Sequence, residues 1–483
     1  MKSVKYFIIL SILFSVPRWN NAQDTGNLTD SLYYYLELAA KNNPTVLQRY
    51  NEYLAALQKV PQVGSLPDPE FTLGVFLKPM ELVEGSQAAD IRLMQMFPWF
   101  GTLRAAKDEM SLMARAKYES FRDAKQQVYF DVQSTWFDIY KLHQNLKISE
   151  RNIQILKTIE RLALVRFRTT TTGAGGASSS VMNSASTMQS QVPPTVSSGM
   201  QGMSSVNQEA TYRQAPATST MQGNQMGAFL GGYGLADLYR IQIEIADLQN
   251  NIALLKNEQN TATAKFNSYL NRPIQLRVSV ADTLIADTLK VPVLAVTDSI
   301  MKKNPMLGML EYEQQSLDAK KRMVTKMGYP MVGLGINYSL ITKSEMSTSS
   351  MNGNDMIMPM ISATIPIYRK KYRAMKSEVE LLKTSTINNY NAIANNLQVE
   401  YYQALQLYQD AARRMRLFSD QYNLARNSLD IKLAGFSAGN YDLTDILLIH
   451  QQVLDFELRQ IEAVSDYNTS IAWLNKLMAN SHF

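Results

Sequence analysis

Val332-Gly333-Leu334-Gly335-Ile336-Asn337-Tyr338-Ser339-Leu340 is the stretch on which the fold turns. Apolar Val332, Leu334, Ile336, Tyr338 and Leu340 alternate with small or polar Gly333, Gly335, Asn337 and Ser339. Successive side chains of a strand point to opposite faces, so the run predicts a strand with one apolar and one wet face. A barrel strand with lipid outside and water inside reads in this way. In the next run Ile357, Ile361, Ala363 and Ile365 alternate with Met358, Met360, Ser362 and Thr364.

A less clean pair of strands occupies residues 71–77 and 90–97, and the phrases around both pairs recur in the same order. Asn43-Pro44 precedes Pro69 and Phe71-Thr72-Leu73-Gly74; Asn304-Pro305 precedes, at the same spacing, Pro330 and Val332-Gly333-Leu334-Gly335. Met96-Phe97-Pro98 opens a helical segment containing Arg104-Ala105, as Thr364-Ile365-Pro366 opens one containing Arg373-Ala374. Tyr233-Gly-Leu-Ala-Asp237-Leu leads to Ala264-Lys-Phe266-Asn267, and Tyr441-Asp-Leu-Thr-Asp445-Ile leads to Ala472-Trp-Leu474-Asn475. Matched phrases in one order indicate a duplicated chain. The units are assigned to residues 24–272 and 294–480, with a linker at 273–293. The first unit is the longer because of a low-complexity, Met-rich insertion at 172–232.

Each unit holds a very long helix. Residues 103–169 lack proline and glycine, and Val132, Ile139, Leu146 and Ile153 recur every seventh position, with Val128 and Leu142 filling the seam. Such a helix would approach about 100 Å, far beyond a compact domain and comparable to a periplasmic crossing. Residues 370–432 repeat the pattern, and 235–271 and 441–479 would run back antiparallel. Four strands per chain are too few to close a barrel, and open sheet edges are not tolerated in lipid. Three copies would supply twelve strands. The expected fold is mainly α with a small β part: long antiparallel coiled-coil helices topped by a 12-stranded transmembrane β-barrel to which three chains contribute four strands each.

The remaining composition narrows the class. Lys2 and Lys5, the apolar run Tyr6 to Val16 and the polar stretch ending at Asn21-Ala22-Gln23 predict a secretory signal peptide over residues 1–23. No later run reaches the roughly 18 uninterrupted apolar residues of a membrane helix. With no cysteine there is no disulfide, thiolate site or acylated N-terminal cysteine. Removing Lys2, Lys5 and Arg18 lowers the formal charge from +6 to about +3, which gives no argument for nucleic acid. His143, His450 and His482 are scattered, and neither a nucleophile–base pair nor a phosphate loop is visible. The expectation is no enzyme and no cofactor.

On Leu66-Pro67-Asp68-Pro69, Phe97-Pro98-Trp99-Phe100-Gly101, Gly234-Leu-Ala-Asp237-Leu and Ala434-Gly435-Phe436-Ser437-Ala438-Gly439 through Asp445-Ile446-Leu447, nearly the whole mature chain resembles the TolC-like outer-membrane efflux family, in particular its cation-efflux branch. The resemblance implies a homotrimer in outer-membrane lipid whose long helices form a trimeric α-helical barrel extending into the periplasm, where a periplasmic adaptor protein and an inner-membrane efflux pump deliver cargo for passive exit. It implies a periplasmic gate in which Asp445 matches the first tip aspartate and Asp237 the repeat-one position that helps to hold the gate shut. Two positions depart from the family: its second aspartate is Leu448 here, and a gate arginine is Tyr441. Three carboxylates around a narrow lumen would attract cations; equally, Asp445 reads as a carboxylate that stabilises a helix N-terminus.

The insertion would sit at the periplasmic turn of the first helix pair. It carries Met182, Met188, Met200, Met203, Met221 and Met226. Thioethers favour soft monovalent ions, so these are candidate ligands for copper or silver export; the plainer reading is a flexible linker in a chain with 26 methionines. Strand methionines such as Met358 and Met360 read as packing residues. The cargo readings are heavy-metal cations or drugs, with an exit channel for type I protein secretion and a non-conducting structural coiled-coil protein as alternatives.

Overall fold

The computed structural model describes residues 32–82, 85–173, 235–281, 283–287, 292–346, 348, 350–437 and 441–480. The expected leader and the six methionines of the insertion lie outside these residues. One element order occurs twice. Helices α1 (Leu32–Asn42) and α2 (Pro44–Gly64) lead to strands β1 (Glu70–Leu82) and β2 (Gly85–Phe97), then to helices α3 (Thr102–Gly173) and α4 (Leu235–Tyr269). Helices α5 (Val293–Lys303) and α6 (Pro305–Met327), strands β3 (Met331–Thr342) and β4 (Met356–Thr364), and helices α7 (Arg369–Ser437) and α8 (Leu443–Leu477) follow in the same sequence.

The long helices have 72 and 69 residues and their returning partners 35 each. At 1.5 Å per residue α3 and α7 extend about 100 Å. A half-length partner cannot cover such a helix, and α2 and α6 cover the rest. Lys117 of α3 lies 3.5 Å from Glu52 of α2, and Lys383 of α7 lies 2.7 Å from Asp318 of α6. Toward the other end, Arg151 of α3 pairs with Glu457 of α8, and Arg414 of α7 lies 2.7 Å from Asp466 of α8. The sequence reading places one helix ahead of the two strands of the first unit; the structure has two helices there, α1 and α2, and repeats them as α5 and α6, each pair divided at an Asn-Pro step.

A buried asparagine closes each unit. Asn43 Oδ1 accepts from the Thr45 and Val46 backbone N–H groups at 2.9 and 3.3 Å, and Nδ2 donates to the Tyr269 carbonyl at 2.8 Å. Asn304 repeats this, accepting from Met306 N–H at 2.9 Å and donating to the Leu477 carbonyl at 3.1 Å. Each side chain caps the helix that follows and holds the end of the helix that returns, with proline pre-set at the first helical position. The returning helices stop alike. Asn271 and Ala479 take left-handed backbone angles, φ 50° and 49°. Arg272 N–H then bonds to the Asn267 carbonyl and Asn480 N–H to the Asn475 carbonyl, satisfying carbonyls that the helix leaves open.

The strands form one antiparallel sheet in the order β1-β2-β3-β4, so the two units meet along β2 and β3. Leu93 pairs with Ile336 and Ile91 with Tyr338. Phe71, Leu73, Val75, Leu93, Leu334, Ile336 and Ile361 are exposed on one face. The opposite face carries Thr72, Asp90, Arg92, Asn337 and Ser339, in agreement with the alternation of the sequence. Strands β1 and β4 are its edges.

Far from the sheet, Leu156, Ile159, Ile241, Leu248, Phe436, Leu443, Ile446 and Leu447 join both helix pairs in one core. His450 is buried nearby at 2% exposure, and its Nε2 has no hydrogen-bond partner among the described residues. Burial disfavours the charged imidazolium and lowers its pKa to about 4.

Two predictions follow from these contacts. Asn304→Ala removes a cap and leaves a buried carbonyl unpaired, so unfolding in detergent should lose about 2–3 kcal/mol. Asn304→Asp keeps the acceptor and should lose less; equal losses would deny Nδ2 its clamping role. For His450 the unfolded chain takes up a proton that the folded one refuses, so its contribution is fully present above pH 6.5 and is lost as pH falls toward about 4. The stability difference between wild type and His450→Leu should shift by about 3 kcal/mol across that window. A pH-independent difference would show that the imidazole is solvated.

Candidate functional site at the turn of the helix pairs

The turn from α7 into α8 is built from Gly435, Phe436, Tyr441, Leu443 and Asp445. Buried Phe436, Leu443, Ile446 and Leu447 anchor both arms, which fixes where the polar residues between them stand. Gly435 is required by a close approach: a Cβ there would lie 2.5 and 2.6 Å from Cδ2 and Cε2 of Tyr441. The half-buried Tyr441 ring thus lies against the last turns of α7.

Asp445 stands in the first turn of α8, where three backbone N–H groups lack helical partners and favour a negative charge. Its neighbour is Lys432 of α7. Lys432 Nζ lies 3.6 Å from Asp445 Oδ1 and 5.8 Å from the centre of the Tyr441 ring. One ammonium therefore serves two of the three candidate gate residues, through an ion pair and a cation–π contact. The Asp445 side chain is 49% exposed, so solvent screens the pair. Lys432 thus offsets the charge of Asp445 within one chain, while the exposed N-cap residue Asp442 adds a second carboxylate to the turn.

Lys432 escapes a sequence reading because its partner lies across a turn whose geometry is tertiary. Leu448, in place of the family's second aspartate, is 53% exposed and offers an apolar side chain to solvent. Asp237 occupies the first turn of α4, and its side chain lies outside the described residues. Asp445 and Tyr441 are thus brought together, while no geometry is assigned to Asp237.

Further polar links join the two helix pairs above the turn. Gln451 of α8 donates to Glu244 of α4 at 2.7 Å, and Arg151 of α3 pairs with Glu457 of α8. Opening the turn by separating the pairs would break both contacts. Among the described residues no group of three or more His, Cys, Asp or Glu side chains could hold a metal ion, and no helix is long and apolar enough to cross a membrane.

No protein-family model and no curated protein sequence matches the chain. Solved structures do. The CmeC outer membrane channel of Campylobacter jejuni superposes with a TM-score of 0.67 at 13% identity, over 93% of this chain and 85% of that one. The outer membrane protein VceC of Vibrio cholerae gives 0.64 at 12% identity, over 92% of this chain and 95% of that one. A membrane protein of Pseudomonas aeruginosa gives 0.66 at 13% identity, over 92% of each chain. At such low identity the likeness is one of architecture: the chain has the fold of bacterial outer-membrane channel proteins.

Proposed function

We propose that the chain is one protomer of a trimeric outer-membrane channel of the TolC-like efflux family, a passive exit duct rather than an enzyme. One observation carries this reading: a four-stranded sheet with an exposed apolar face and two edge strands stands at one end of helices about 100 Å long. Such a sheet is stable in lipid only when its edges are paired. Three chains supply the partners and twelve strands. The strands then cross the outer membrane, and the helices extend into the periplasm toward an adaptor protein and an inner-membrane pump.

Within that duct the α7–α8 turn is the gate, with Lys432 linking Tyr441 and Asp445 across it. Asp237 is the corresponding position of the first helix pair. The cargo reading is a soft cation such as copper or silver, supported by the methionines of the 172–232 insertion; drug export uses the same duct.

Detergent-extracted protein is expected to have the mass of a trimer and to give discrete conductance steps in planar bilayers. A water-soluble monomer without conductance would favour the non-conducting coiled-coil reading. Asp445→Ala is expected to raise single-channel conductance and to weaken block by divalent cations, whereas Lys432→Met should strengthen that block. Unchanged values in both variants would remove the pair from the gate. Deleting residues 172–232 should sensitise cells to copper or silver specifically; unchanged tolerance would end the metal reading of the insertion.

A further inference from the structure

The strand register sorts the methionines of the sheet onto its polar face. Met358 pairs with Asn337, Met360 with Gly335, and Gly335 with Met94 on its other side. One step nearer the helices, Gly333 lies between Met96 and Ser362. These positions share a face with Arg92 and Asn337, opposite the apolar face that carries Leu93, Leu334 and Ile361.

A packing role fits them poorly. Methionine fills irregular gaps in apolar cores, but this face is polar and, among the described residues, no helix is packed over it. The room is made by glycine, which weakens a strand and marks close approach. At Gly333 a Cβ would lie 2.3 Å from Ser362 Oγ, 2.6 Å from Met96 Sδ and 3.6 Å from Met94 Sδ. Two thioether sulfurs and a hydroxyl therefore converge on one point. The hydroxyl is already directed at both sulfurs, donating to Met94 Sδ at 3.4 Å and to Met96 Sδ at 3.8 Å.

We propose that Met94, Met96 and Ser362, gathered over the gap at Gly333, bind a soft monovalent cation, with Met360 beside Gly335 as a further thioether. Polarizable sulfur pairs with a polarizable ion, and hard cations gain little from neutral thioethers. Glu70, opposite Met94 on β1, adds a negative charge one strand away, and Arg92 opposes it one step further along the same face. The site lies at the helix-proximal end of the sheet, where cargo leaving the helical duct would enter the barrel. Its place in a lumen rests on the proposed channel; the ligand set does not.

The test titrates silver(I), as the nitrate in chloride-free buffer, into the detergent-purified full chain and into its sheet variants, which keep the insertion methionines, so that a difference between them reports the sheet alone. Calorimetry should show a tight binding step, and silver K-edge absorption should show sulfur neighbours. In Met94→Leu/Met96→Leu, a nearly volume-conserving change that should leave the circular dichroism unaltered, that step should disappear. Gly333→Ala, which keeps both sulfurs but fills the gap, should weaken it. Undiminished silver binding in the double variant, or oxygen and nitrogen neighbours alone, would overturn the site. Silver binding that the double variant loses, without bilayer conductance, would leave the site standing and remove the channel; conductance without sulfur-bound silver would do the reverse.

Discussion

Two buried asparagine side chains set the register of the whole helical part. Asn43 and Asn304 each use the oxygen to start one helix and the amide nitrogen to hold the end of another. Without that link a half-length helix could slide along a partner twice its length, because a heptad seam offers a similar fit at every repeat. With it, α4 and α8 end at defined points, and α2 and α6 begin there. Burial makes the link costly to lose, since an unpaired amide or carbonyl keeps its desolvation penalty.

At the far end the constraint is different. The turn between α7 and α8 is held by apolar side chains, and Lys432, Tyr441 and Asp445 beside them are half-buried. The Lys432–Asp445 pair is solvated enough to contribute little stability. A weak polar contact on a firmly anchored turn suits a device that opens, because breaking it costs little while the helices keep their core. The cross-links Gln451–Glu244 and Arg151–Glu457 tie the two helix pairs together without burying charge deeply.

The sheet obeys a third rule. Its apolar face is exposed and its polar face holds serine, asparagine, charged residues and methionine together. The same glycines that let neighbouring strands approach also bring sulfur atoms from β2 beside a hydroxyl of β4. A glycine in a strand is an absence of side chain, and what fills the absence is chosen by residues distant in the chain.

Much of this fold is legible in the sequence because its signals are periodic. Alternation from Val332 to Leu340 marks β3, and heptads from Val128 to Ile153 mark α3; both lie where the periods put them. The hairpin of β1 and β2 runs further than residues 71–77 suggest, since a register shift between Val75 and Met80 interrupts the alternation. Asn-Pro repeats are visible as a phrase, but their function is not, because the carbonyls of Tyr269 and Leu477 are brought by chain folding. Asp445 and Tyr441 can be named from sequence, whereas Lys432 cannot, its two contacts spanning a turn. By itself, then, the sequence determined the long helices and the two faces of the strands, which depend on local period, and the duplication, which depends on repeated phrases. Tertiary structure alone decided which ammonium meets Asp445 and which sulfurs meet over Gly333, because those encounters depend on how distant segments are held in register.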